Sequence, residues 1–111
     1  MLNGTVKKIV DLAVQIADPD EVILFGSIAN GTSNVFSDID LLIIGDSGIR
    51  KKELANRIRY FAGEYALKAD VLVCTPAEFE QEQKKVNSFI SAIYKDGRIV
   101  YKKRWFKIWK L

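Results

Sequence analysis

Histidine is missing from this 111-residue chain, and cysteine occurs once, at Cys74. Without histidine, imidazole acid–base catalysis and His-containing zinc sites are excluded, so carboxylates must do any catalytic or metal-binding work. One cysteine excludes an internal disulfide, which fits a reducing, cytoplasmic setting. With no imidazole to activate it, Cys74 reads as a small core residue at the end of an apolar strand. No apolar run nears the roughly 20 residues needed to span a bilayer, and the N-terminus lacks the charged-then-apolar pattern of a secretory signal. Repeats, low-complexity segments and linkers are also absent. The length suits one domain with a real core and no second lobe.

What is present is an ordinary globular composition, 49% apolar and 28% charged. The net charge of +3 conceals an uneven distribution. Lys102, Lys103, Arg104, Lys107 and Lys110 fall in the last ten residues with no acid among them; the other 12 cations face 14 acids, leaving residues 1–101 at −2. The body is mildly acidic, so composition does not support a general nucleic-acid-binding surface. We therefore divide the chain into a folded domain, 1–101, and a basic aromatic tail, 102–111. Trp105, Ile108 and Trp109 would share one stripe if the tail were helical. Packing on its own domain or on a partner suits so short a segment better than a membrane surface, with RNA contact a secondary use.

Periodicity places an amphipathic helix over about 4–17, with Val6, Ile9, Val10, Ala13, Ile16 and Ala17 on one face. Asp18-Pro19-Asp20 stops it. Glu21 to Phe25 reads as a buried strand, Gly26 to Gly31 as a turn opening a short helix, and 32–37 as a polar loop. Asp38 to Ile44 is a second strand. A helix follows over about 49–67, with Leu54, Ile58, Phe61, Ala62 and Tyr65 inward and a basic outer face. Ala69 to Cys74 is a third strand. Thr75-Pro76-Ala77-Glu78 supplies an N-cap, a proline at the first helical position and a capping-box glutamate. Phe79, Val86, Phe89, Ile90 and Ile93 extend that helix to Asp96-Gly97, and Arg98 to Tyr101 forms a fourth strand. The order predicts an α+β domain: a mixed sheet of about four strands, partly parallel because some connections are long, with helices packed on it.

The chemistry concentrates between Phe25 and Ile44. A strand that turns at glycine into a helix presents backbone N–H groups and a positive helix end to phosphate oxygens, and the Ser27 hydroxyl adds a donor. Asp38 and Asp40, two apart on a strand, project from one face roughly 6.5–7 Å apart. Aspartate is disfavoured in strands, so two of them ahead of Leu41-Leu42-Ile43-Ile44 demand a reason beyond folding. Clustered carboxylates suit a hard divalent cation such as Mg²⁺, which also binds substrate phosphate. Asp70, opening the third strand, joins them if that strand neighbours 38–44; a salt bridge to Lys68 is the competing explanation.

Gly26-Ser27, ten intervening residues and Asp38-Ile39-Asp40 resemble the signature of the DNA polymerase β-like nucleotidyltransferase superfamily. The short chain is similar to its minimal members, the MNT proteins that pair with HEPN-domain toxins. The resemblance spans nearly the whole chain and implies the polymerase β-like palm fold. It implies that Asp38, Asp40 and Asp70 ligate two Mg²⁺ ions roughly 3.5–4 Å apart, with Asp70 on the acceptor side. It implies further that Gly26 and Ser27 hold the phosphates of ATP, and that AMP passes to a tyrosine of the partner toxin, making the chain an antitoxin. Asn30 stands where the family commonly has arginine. It can donate a hydrogen bond but has no charge, which weakens nucleotide binding by about 1–3 kcal/mol if the arginine touches phosphate. Two alternatives stay open: a module that neutralises its partner by binding alone, and a transferase acting on a small molecule. Self-association through the tail is a further expectation.

Overall fold

A computed structural model describes residues 4–26 and 38–103. In chain order the elements are α1 (Gly4–Ala17), β1 (Glu21–Phe25), β2 (Ile39–Ile44), α2 (Lys51–Gly63), β3 (Ala69–Cys74), α3 (Pro76–Gln83), α4 (Phe89–Asp96) and β4 (Arg98–Lys102). The strands form one sheet in the order β3-β2-β1-β4. β2 and β3 run parallel, joined by α2, while β1 is antiparallel to both β2 and β4. The mixed four-stranded sheet of an α+β domain is thus as expected. The short helix and loop expected beyond Gly26, over 27–37 with Ser27 and Asn30, and all of the tail beyond Lys103 lie outside the described residues. No helix among the described residues is long and apolar enough to cross a membrane.

Alternation along the strands divides the core in two. Val22, Leu24, Ile39, Leu41, Ile43 and Val71 face α1 and α2. Ile23, Phe25, Leu42, Ile44, Leu72 and Cys74 face α3 and α4. β2 is central and covered on both sides, which is why Leu41 to Ile44 is apolar without a break. Burial, with Glu78 adding to it and Lys51 opposing, pushes the Cys74 thiol up to about 11, so it is a packing group and not a nucleophile.

Two helices depart from the periodicity. α2 ends at Gly63, and Tyr65 sits in the following turn, 38% exposed, with its ring edge against Phe61. The single helix expected from Pro76 to Asp96 is two. α3 caps at Lys84, Asn87 takes a left-handed φ of 62°, and Ser88 caps α4 by accepting from the Ser91 amide. Asparagine tolerates that conformation and serine suits an N-cap, so Asn87-Ser88 breaks the helix despite the apolar spacing. Val86 and Phe89, expected on the buried stripe, are 89% and 67% exposed.

The capping box at α3 forms as expected: Thr75 accepts from the Glu78 amide, and the Glu78 carboxylate accepts from the Thr75 amide. Thr75→Ala should cost about 1 kcal/mol in urea unfolding, with little change in the slope against urea.

Candidate active site

Antiparallel pairing of β1 with β2 sets Phe25 opposite Asp40, and parallel pairing sets Asp40 beside Asp70. The end of β1 therefore meets the starts of β2 and β3 at one edge of the sheet. Two hydrogen bonds hold this corner: the Ile39 amide donates to the Lys68 carbonyl at 2.8 Å, and Arg59 Nε on α2 donates to the Ala69 carbonyl at 3.3 Å. Residues 40 and 70 share a sheet face with Leu42, Leu72 and Phe25, so their side chains project on the α3–α4 side.

There the Asp40 carboxyl lies close enough to both Asp70 and Asp38 for their charges to act on it. Burial first, then the charges of Asp70 and Asp38, then the hydrogen bond with Asp70 hold the Asp40 carboxyl above the usual carboxylate range. Among the described residues, no ion pair joins Asp70 to Lys68. Gly26 closes the other side. Its φ is +79°, and a Cβ built there would fall 2.2 Å from Asp40 Oδ2. Glycine is needed here both for the left-handed backbone and for its close approach to the carboxylate.

Asp96, which in sequence is only a helix stop before Gly97, also faces a recess. It lines this recess of about 190 Å³ with Phe25, Gly26, Ala92, Ile93 and Gly97, and Gly26 in turn lies against Asp40. A usable signal existed, because an acid in the last turn of a helix opposes the macrodipole.

A family model for the nucleotidyltransferase domain matches residues 6–100. The chain belongs to the nucleotidyltransferase domain family. A search of curated proteins finds no significant match. Among solved structures, this nucleotidyltransferase domain is similar to a chain in the crystal structure of a toxin–antitoxin with AMP-PNP, at TM-score 0.58 and 17% identity, covering 92% of this chain and 77% of that one. It is similar to a crystal structure provisionally described as a nucleotidyltransferase, at TM-score 0.53 and 18% identity, covering 89% and 100%. A third likeness, at TM-score 0.49 and 14% identity over 93% and 71%, is to a chain from a tri-AMPylated Shewanella oneidensis HEPN toxin in complex with MNT antitoxin. At these identities the first two likenesses show the fold.

Nucleotidyltransferases work on a nucleoside triphosphate with a divalent metal, and the donor set suits one. Among the described residues no group of three or more His, Cys, Asp or Glu side chains is placed to hold a metal ion, so Asp38, Asp40 and Asp70 do not form a ready-made three-carboxylate site. What exists is a pair of neighbouring carboxylates, Asp40 and Asp70, in register on adjacent strands with Asp38 close by, all oxygen donors. Mg²⁺ is usually held by one or two carboxylates with waters and substrate phosphates completing the shell, so such a pair fits it better than a cage would.

Proposed function

We propose that this nucleotidyltransferase domain transfers AMP from ATP to a hydroxyl of a partner protein, a tyrosine of a HEPN-domain toxin, and so acts in the cytoplasm as its antitoxin. The observation that carries this is the meeting of Asp40 with Asp70 across β2 and β3, beside Asp38 and hard against the Gly26 turn. The partner class draws on the sequence resemblance and on the toxin–antitoxin with AMP-PNP that shares the fold.

Asp38, Asp40 and Asp70 would hold the magnesium, which neutralises the triphosphate charge and polarises the α-phosphate. Gly26 lets the backbone approach the phosphates without a side chain in the way, and Ser27 and Asn30 add hydrogen bonds. Asp70 lies on the acceptor side and takes the proton as the hydroxyl oxygen attacks the α-phosphorus. The bond from that phosphorus to the β-phosphate oxygen breaks, and pyrophosphate leaves. Positioning and charge neutralisation supply most of the rate.

The test is incubation of the purified chain with ATP labelled at the α-phosphate, Mg²⁺ and a HEPN-type protein from the neighbouring gene. We expect label on a tyrosine of that protein, lost in Asp38→Ala and Asp40→Ala and on chelation. No transfer by the wild type across the four nucleotides with Mg²⁺ or Mn²⁺ would overturn it. Asn30 in place of the usual arginine favours a second reading, neutralisation by binding alone, in which the aspartate variants still protect cells from the toxin.

A further inference from the structure

On the side of the sheet away from the aspartates, the outer surfaces of α1 and α2 enclose a groove of about 670 Å³. Leu12 and Ile16 of α1 and Phe61 of α2 give it an apolar floor, and Tyr60 stands over it 78% exposed. Arg50 and Lys52 border one end, and neither makes an ion pair among the described residues. With Lys51 they place three consecutive cations at the N-terminus of α2, the helix end already positive from its macrodipole. Folding gains the Lys51–Glu78 ion pair at 2.6 Å, but no ion pair from Arg50 or Lys52 among the described residues. An anionic partner would supply one.

We infer that this groove is a protein-docking surface whose occupant is an amphipathic helix of a partner, apolar along one face and acidic at the end that meets Arg50 and Lys52. The lining residues of α2 run from Arg50 to Phe61, roughly 17 Å of helix, a length that matches about three turns of an occupant. RNA suits the surface less well, because Glu53 lines the groove among the cations and pairs with Arg57, which leaves unpaired positive charge only at the Arg50 and Lys52 end. The chain's own residues 104–111 carry Arg104, Lys107 and Lys110, which the same cations repel. A partner anchored here leaves the aspartate face open. Docking and chemistry then occupy opposite faces of one sheet.

Fluorescence anisotropy with three labelled probes tests this: a short Leu/Glu amphipathic peptide acidic at one end, its Leu/Lys counterpart, and an oligouridylate. The intact chain should bind the Leu/Glu peptide, more weakly as salt rises, and should not bind the Leu/Lys one. The combined variant Arg50→Glu, Lys52→Glu should lose on the order of tenfold in affinity, and Tyr60→Ser a comparable factor through the apolar contact. All three side chains are exposed, and a melting curve checks that each variant folds. Asp40→Asn should bind the peptide unchanged, so a failed transfer assay and a failed docking assay are separable results. No binding of the Leu/Glu peptide, equal binding by the charge-reversed variant, or tighter binding of the oligouridylate would each overturn the inference.

Discussion

Asp40→Asn should abolish nucleotidyl transfer and at the same time raise the melting temperature of the metal-free protein. The loss in kcat/KM is expected at no less than about 10²–10³-fold, the scale for removing one group that stabilises developing charge. The gain in stability follows from the sign of the pKa shift. Burial and the neighbouring carboxylates raise the Asp40 pKa above its ordinary 3.8. The folded state therefore holds that proton more tightly than the unfolded one. Stability from it is full below pH 3.8 and is lost as pH rises through the elevated value. In chelator, wild-type melting should thus fall as pH rises through that window, and the asparagine variant should show a flatter profile. Added Mg²⁺ should reverse the loss in the wild type. At about 100 times its Kd, a ligand specific to the folded state adds about 2.7 kcal/mol, a shift on the order of 10 °C in a domain this size. A lower melting temperature for the variant, or an undiminished magnesium response, would contradict this account.

Gly26→Ala should be nearly as damaging although it removes no charge. The left-handed backbone at Gly26 costs an L-residue about 1–2 kcal/mol. The added methyl would also lie 2.2 Å from Asp40 Oδ2, so the carboxylate must move. A displacement of about 1 Å at a reacting centre costs roughly 10²-fold in rate. We expect a loss of that order in transfer with only a modest fall in melting temperature, measured on the same samples. Full activity in the alanine variant would show that the turn opens freely and that the close approach to Asp40 has no catalytic role.

Strands were legible because each carries a local signature. β1, β2 and β3 are short β-branched or leucine-rich runs closed by turn residues, and their bounds lie within a residue of those expected. The α3 start was legible for the same reason, since a capping box is complete within four residues. The α3–α4 break was not, because the spacing of Phe79, Val86, Phe89 and Ile93 satisfies a continuous helix. Only the left-handed Asn87 and the Ser88 cap reveal the turn. The three aspartates were visible as unusual residues for strand starts, but their meeting rested on an assumed neighbour relation between β2 and β3. Asp96 went unread, since a helix-terminal acid before glycine looks like punctuation until the sheet brings it beside Gly26.

Taken alone, the order of residues determined the elements, the carboxylate-only chemistry and the family resemblance, all of which depend on neighbours a few positions apart. Tertiary structure decided that β3 lies parallel to β2 in register, putting Asp70 beside Asp40, and that α1 and α2 leave a groove whose unpaired cations sit at one end. The physical reason is range. Capping and periodicity act within a turn or a strand, whereas strand order and helix packing come from burying both faces of β2 at once.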